Sequence, residues 1–309
     1  MVMRELAQGL RFPEGPVVAE DGALIFVEVA GGTLRRIGAD GRLSVVAVLG
    51  GGPNGAAFGP DGALYVCNNG GLHWLHDAHG MRPHGPAADE TGGSIQRVDV
   101  ATGAFETLYD HVDGRPLVAP NDLVFDRHGG FWFTDFGKLR PAARTRDLGA
   151  VHYARADGSL IREAAYPFIS PNGIALSPDE ATLYVADTDA ARVWAFDILA
   201  PGVLAKAPFP SPHGGRLLGT GGGALQRFDS MAVDAAGNVN VATLLHGGIT
   251  VFSPDGSRCS HVPLPDAMTT NLCFGGQDMR TAYVTLSASG RVVALDWPQP
   301  GLRLNHQPA

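Results

Sequence analysis

Charge is scarce in this chain. Only 17% of its 309 residues are Asp, Glu, Lys or Arg, and the acids outnumber the bases, leaving a formal net charge of −8. No long basic run is present, which argues against nucleic acid as a partner. Cysteine is scarcer still. Cys67, Cys259 and Cys273 are odd in number and lack metal-ligand spacing. A disulfide framework and a cysteine-based zinc site are both set aside, and reduced thiols in a cytoplasmic protein are expected. Long apolar runs are missing too. The opening "MVMRELAQGL" has no apolar signal-peptide core, and no stretch is long enough to span a bilayer, so no membrane role is expected.

What the chain does have is glycine and proline, 42 and 22 residues spread along its length. That distribution reads as turn punctuation in a many-stranded protein, and 45% hydrophobic content is enough for a sizeable core. Self-similarity then appears. "PEGPVVAEDGALIFVEV", "PNGAAFGPDGALYVCNN", "PNDLVFDRHGGFWFTDF", "PNGIALSPDEATLYVAD", "FDSMAVDAAGNVNVAT" and "TTNLCFGGQDMRTAYVT" share one pattern. Each is a polar lead residue, an apolar strand, a turn, and a second strand rich in β-branched and aromatic residues. A third strand usually follows, and often a fourth. The lead residues Glu14, Asn54, Asn121, Asn172, Asp229 and Asn271 lie 40, 67, 51, 57 and 42 residues apart.

Such a recurrence of four short antiparallel strands describes propeller blades. The expected fold is therefore all-β, a single six-bladed β-propeller domain over 1–309. A β-sandwich would explain the strand density but not the repeated register. The sixth segment supplies three strands only, so the early strand "RELAQGL" is expected to complete that blade and close the ring.

In a propeller, the first strand of each blade lines the central channel. Six lead positions then converge on one mouth with two carboxylates and four carboxamides. Buried carboxylates repel and lose hydration, a conflict that a cation removes. An all-oxygen set suits calcium or magnesium better than zinc. Pro-Asn-Gly is also an ordinary turn, so for Asn54 and Asn271 both readings stay open. Glu14 and Asp229 are not required by any turn.

These segments resemble the senescence marker protein, gluconolactonase and luciferin-regenerating enzyme family, which includes regucalcin-like proteins. "FPEGP", "PNDLVFDRHGGFWFTD", "SPNGIALSPDEATLYVADT", "DSMAVDAAGNVNVAT" and "CFGGQDMRTAYVT" carry the likeness. The resemblance implies a metal-dependent hydrolase, a lactonase acting on a small-molecule lactone. It implies Glu14, Asn172 and Asp229 as ligands of a divalent metal, with calcium first and magnesium, zinc or manganese as alternatives. Asn121 would then sit near metal and substrate. The related diisopropyl fluorophosphatase group makes a phosphotriesterase-like hydrolase the alternative. A non-catalytic calcium-binding propeller and a strictosidine-synthase-like propeller are the others. Two positions depart from the family pattern: Ala119 stands where sugar-lactone members often carry a substrate-contacting Arg, and Ser230 where Gly is commoner after the Asp.

On this reading Asp229 activates water, while Asn121 positions the carbonyl or the water. Asn54, Trp74, His73, His246 and Ser230 are further expected substrate contacts. Trp74 and His73 fall in a long loop, 68–93, and a second long loop, 136–149, carries Lys138, Arg140, Arg144 and Arg146. Both are expected to overhang the mouth. An outer ring of Glu28, Asn68, Asp135 and Asp187 is expected either to orient the inner residues or to cap turns.

Overall fold

A computed structural model describes residues 2–308, and every regular element among them is a β-strand. Six antiparallel sheets, five of four strands and the fourth blade of five, follow one another around an axis. Their innermost strands are Pro13–Val18, Pro53–Phe58, Pro120–Phe125, Pro171–Leu176, Arg227–Val233 and Thr269–Gly275. This is the expected six-bladed propeller. Its ring closes as the sequence indicated: Met3–Ala7 pairs antiparallel with Arg291–Asp296, Met3 opposite Leu295. The first strand of the chain thereby completes the last blade and leaves no open sheet edge at the junction.

The alternation along each strand builds the core between blades. Phe131, Phe133 and Tyr65 meet between the second and third blades, and Phe228 and Phe252 near the fifth. Both long loops are more regular than expected. The first folds into a hairpin, Leu72–Asp77 with Gly80–Pro86, and the second into a short one, Leu139–Arg140 with Thr145–Arg146.

Two repeated devices set the inner strands. The first is a bulge. In all six blades the pairing of the inner strand with its neighbour shifts register at or just beside the lead residue, as between Pro120 and Leu123 or Pro171 and Ile174. A bulge inserts an extra residue and re-aims side chains. The residue after the lead then meets the next blade. A Cβ on Gly55 would lie 2.5 Å from Asp122 Oδ1, and one on Gly173 would lie 2.6 Å from the Asp229 carbonyl oxygen. This crowding, rather than turn formation, explains the glycine after the lead residue.

The second device is a hydrogen-bonded clamp, formed by the outer ring. Glu28 Oε1 accepts from Arg11 N–H (2.9 Å), and Asn68 Oδ1 from Gly52 N–H (2.9 Å). Asp135 accepts from Val118 and Ala119 N–H (2.8 and 2.7 Å), and Asp187 Oδ1 from Ser170 N–H (3.0 Å). Each clamp grips the backbone just ahead of the proline that precedes Glu14, Asn54, Asn121 or Asn172. Proline offers no N–H of its own, so the neighbouring amides carry the fixing. Of the two expected roles, this one is backbone capping.

Candidate active site at one mouth of the channel

The clamps and bulges deliver the lead residues to a cavity of 470 Å³ at one mouth. Glu14, Asn54, Asn121, Asn172 and Asp229 all line it. Asn271 does not; its Nδ2–H donates to Glu14 Oε2 at 2.7 Å, beside the Gly15 N–H at 2.8 Å. The sixth lead residue thus holds the first. Asn172 is held from the neighbouring blade, where Thr134 Oγ1–H donates to its carbonyl at 2.6 Å.

The electrostatics are unbalanced. Burial pushes the Glu14 carboxyl up, opposed in part by Asn271. Burial likewise pushes Asp229 well up, and the charge of Glu14 adds to it. A third carboxylate shares the conflict. Asp122 occupies the bulge position after Asn121 and is pushed up to about 7, first by burial and then by Glu14. Two of the three carboxyls point into one cavity, and the third lies just beneath. Asn121 Oδ1 is buried without a hydrogen-bond partner. An orphaned carbonyl oxygen beside uncompensated carboxylates is the donor chemistry of a hard cation. The described residues hold no cluster of three or more His, Cys, Asp or Glu arranged around one ion. The candidate set is instead mixed, two carboxylates with carboxamides.

The remaining expected contacts divide. Trp74 lines the cavity and packs its ring on Phe12, centroids 4.8 Å apart. His73 is exposed and lies outside the lining, because the loop is a strand and adjacent residues face opposite ways. The histidine of that hairpin that reaches the cavity is His84. His246 is also outside. Its ring stacks on His261 of the outer strand, centroids 4.1 Å apart, while Leu244 and Leu245 take the lining positions. Ser230 is buried behind the site, its Oγ 3.5 Å from Asn172 Oδ1, and it steadies Asp122 instead of facing the cavity. Ala119 lines the cavity, so the position leaves open space.

The residues missed from the sequence are Asp122, His84 and Arg227. Asp122 was signalled by one departure, Pro-Asn-Asp where blades two and four read Pro-Asn-Gly. Arg227 opens the innermost strand of blade five, directly after the connection from blade four. Such connections reach this same mouth, as Phe12, Ala119 and Met268 also show.

The class defined by this fold and site is a six-bladed propeller with an oxygen-rich polar centre at one end of its channel. The chain belongs to the SMP-30/Gluconolactonase/LRE-like family, whose pattern matches residues 12–288. It is 27% identical over 311 residues to a gluconolactonase of Zymomonas mobilis, covering 93% of this chain and 79% of that one. It is 30% identical over 260 residues to the lactonase drp35 of Staphylococcus saprophyticus, covering 84% and 71%. Among solved structures, a gluconolactonase of Xanthomonas campestris superposes with a TM-score of 0.73 at 24% identity, covering 97% and 89%, and so shares the fold.

Proposed function

We propose that the protein is a divalent-metal-dependent lactonase. The observation that carries this reading is the convergence of Glu14 and Asp229, both buried and pushed toward protonation, with the orphaned Asn121 Oδ1 on one open cavity. Family membership and the lactonases among its relatives supply the reaction class. Glu14, Asn172 and Asp229 would hold the ion, with calcium the best match to all-oxygen donors. When bound, it supplies Lewis-acid polarisation of the lactone carbonyl.

The chain's own groups do the rest. Asp229, facing the cavity from the fifth blade, takes a proton from the attacking water. Asn121 and Asn54 orient the carbonyl and the ring oxygens. Trp74 and Phe12 form an apolar wall for the ring carbons. Water oxygen bonds to the carbonyl carbon, the ring carbon–oxygen bond breaks, and the ring oxygen leaves as a hydroxyl, taking the proton that Asp229 removed from the water. The product is a hydroxy acid.

The test is a hydrolysis screen of five- and six-membered sugar and aliphatic lactones. Chelator-treated protein would be compared with protein given calcium, magnesium, zinc or manganese. Turnover that vanishes with chelator and returns with one ion is the expected result. Equal turnover with and without chelator would defeat metal dependence, and no turnover of any lactone would defeat the reaction class.

A further inference from the structure

Blade six gives the cavity no lead residue, and its bulge is of a different length. Only Thr270 lies between the paired Thr269 and Asn271, whereas Asn54 and Gly55 both lie between the paired Pro53 and Ala56. With the shorter bulge, Asn271 meets Glu14 of blade one instead of lining the cavity.

Blade six also brings a row of hydroxyls to blade one. Thr270, Thr285 and Ser287 are fully buried. Ser287 Oγ–H donates to the Pro13 carbonyl at 2.6 Å, directly before Glu14 in the chain. A carbonyl only accepts, so the single proton of Ser287 is committed there. Thr270 Oγ1, 2.5 Å from Ser287 Oγ, therefore donates to it. Thr285 Oγ1, 2.9 Å from Thr270, donates in turn. The three protons run one way, and the row ends on the backbone that carries Glu14.

The carboxylate itself is held unevenly. Oε2 accepts from Gly15 N–H at 2.8 Å and from Asn271 Nδ2–H at 2.7 Å. Among the described residues no hydrogen bond reaches Oε1. Two donors fill the lone pairs of Oε2, which leaves Oε1 as the uncommitted oxygen of a residue that lines the cavity. Calcium accepts a carboxylate through one oxygen or both, whereas magnesium demands near-ideal octahedral geometry.

We propose that Asn271 and Ser287 are positioning residues that fix Glu14 as a ligand through one oxygen, and that this hold keeps the site open to magnesium as well as calcium. The proposal rests on the metal-dependent reading of the site. Neither residue is itself a ligand; both act through Glu14.

The experiment titrates metal-free, full-length protein with calcium chloride and with magnesium chloride in a calorimeter. Parent, Asn271→Leu, Ser287→Ala and Ser287→Thr are compared by the ratio of the magnesium to the calcium dissociation constant. Asn271→Leu frees Oε2, so Glu14 can close on calcium with both oxygens, an arrangement that magnesium does not accept. The ratio should rise about tenfold. Ser287→Ala releases the Pro13 backbone and should raise the ratio by less, while Ser287→Thr keeps the hydroxyl and the parent ratio. Packing damage alone would weaken both ions alike. An unchanged or lower ratio in Asn271→Leu, with both ions bound, overturns the positioning role and leaves the metal reading standing. Parent protein that binds calcium but not magnesium overturns it too. Should Asn271→Leu show no melting transition, the Ser287 pair decides, and equal ratios in its two variants overturn the role. Parent protein that binds neither these ions nor zinc or manganese defeats the metal reading, and the positioning role falls with it.

Discussion

The two ends of the central channel are built from the same six strands and could hardly differ more. At one end, the first residues of those strands bring Glu14, Asn54, Asn121, Asn172 and Asp229 to a cavity of 470 Å³. A few residues further along, the same strands present Val17, Leu123, Ile174, Met231 and Leu272, and only about 70 Å³ of space remains. The C-terminal tail then crosses that lower mouth. Leu302 N–H donates to the Val233 carbonyl (3.0 Å), Asn305 Nδ2–H to the Phe125 carbonyl (3.1 Å), and Gln307 Nε2–H to the Phe274 carbonyl (3.1 Å). The lower end is packed and bridged by these bonds, with one buried ring nitrogen, His306 Nε2, left without a partner. The upper end keeps buried carboxyls in conflict and one carbonyl oxygen unpaired. Raised carboxyls gathered around open space make the upper end the candidate site.

The sharpest way to break this contrast is Asp229→Asn. The carboxamide keeps an oxygen in the same place but loses the base. Turnover of the best lactone should fall by about 10²–10⁴ at saturating metal, with the ion still bound. Steady-state kinetics beside calorimetric metal titration would decide it. Turnover equal to the parent would leave Asp229 as a ligand only.

The next effect concerns charge. Glu14→Gln should weaken metal binding by at least about tenfold, since even residues behind metal ligands commonly cost that much. It should also change the pH dependence of the metal-free protein. The folded-state values of Glu14, Asp122 and Asp229 are all raised, so the folded protein holds protons that the unfolded chain has released. The stability they provide is full below the ordinary carboxylate range and is lost as pH rises toward the folded values. For Asp122 that window runs from 3.8 to about 7. Metal-free parent should therefore lose thermal stability across this window. Burial is the main cause of the raised values of Asp122 and Asp229, and Glu14→Gln removes the charge that adds to it, so its loss should be smaller. Parallel melting-temperature profiles for parent and variant would contradict the electrostatic conflict.

The sequence made much of the upper end legible and little of the lower. The repeat located all six lead residues, and the missing fourth strand of the last blade pointed to Met3–Ala7. Simple alternation then failed wherever a bulge intervened. Strict alternation would put Asp122 on the opposite face from Asn121, whereas the extra residue brings it to the channel beneath the cavity. His73 was misplaced for the converse reason: a segment read as an irregular lid is a hairpin, where alternation does hold. Arg227 has no sequence signal of its own: it stands two residues before the lead Asp229, where the connection from the previous blade reaches the mouth. The tail carries no periodic pattern at all. Its role lies in side-chain amides reaching backbone carbonyls of distant blades, which no local spacing encodes.

The smallest effect belongs to the lower end, and it tests whether the division of labour is real. Asn305 Nδ2–H donates both to the Phe125 carbonyl at 3.1 Å and to Glu180 Oε1 at 2.7 Å. One acceptor belongs to the innermost strand of blade three, and the other, Glu180, to the turn between the two inner strands of blade four. Asn305→Ala removes both bonds and leaves a carbonyl and a carboxylate to water, because the site is only partly buried. A loss of about 1–3 kcal/mol is expected, read as a drop of a few degrees in melting temperature. Kinetics should stay within twofold of the parent and metal affinity should not move, since the tail touches none of the cavity-lining lead residues. A tail variant that melts normally but loses turnover would show that the two ends are coupled through the channel, and that packing below holds the carboxylates above.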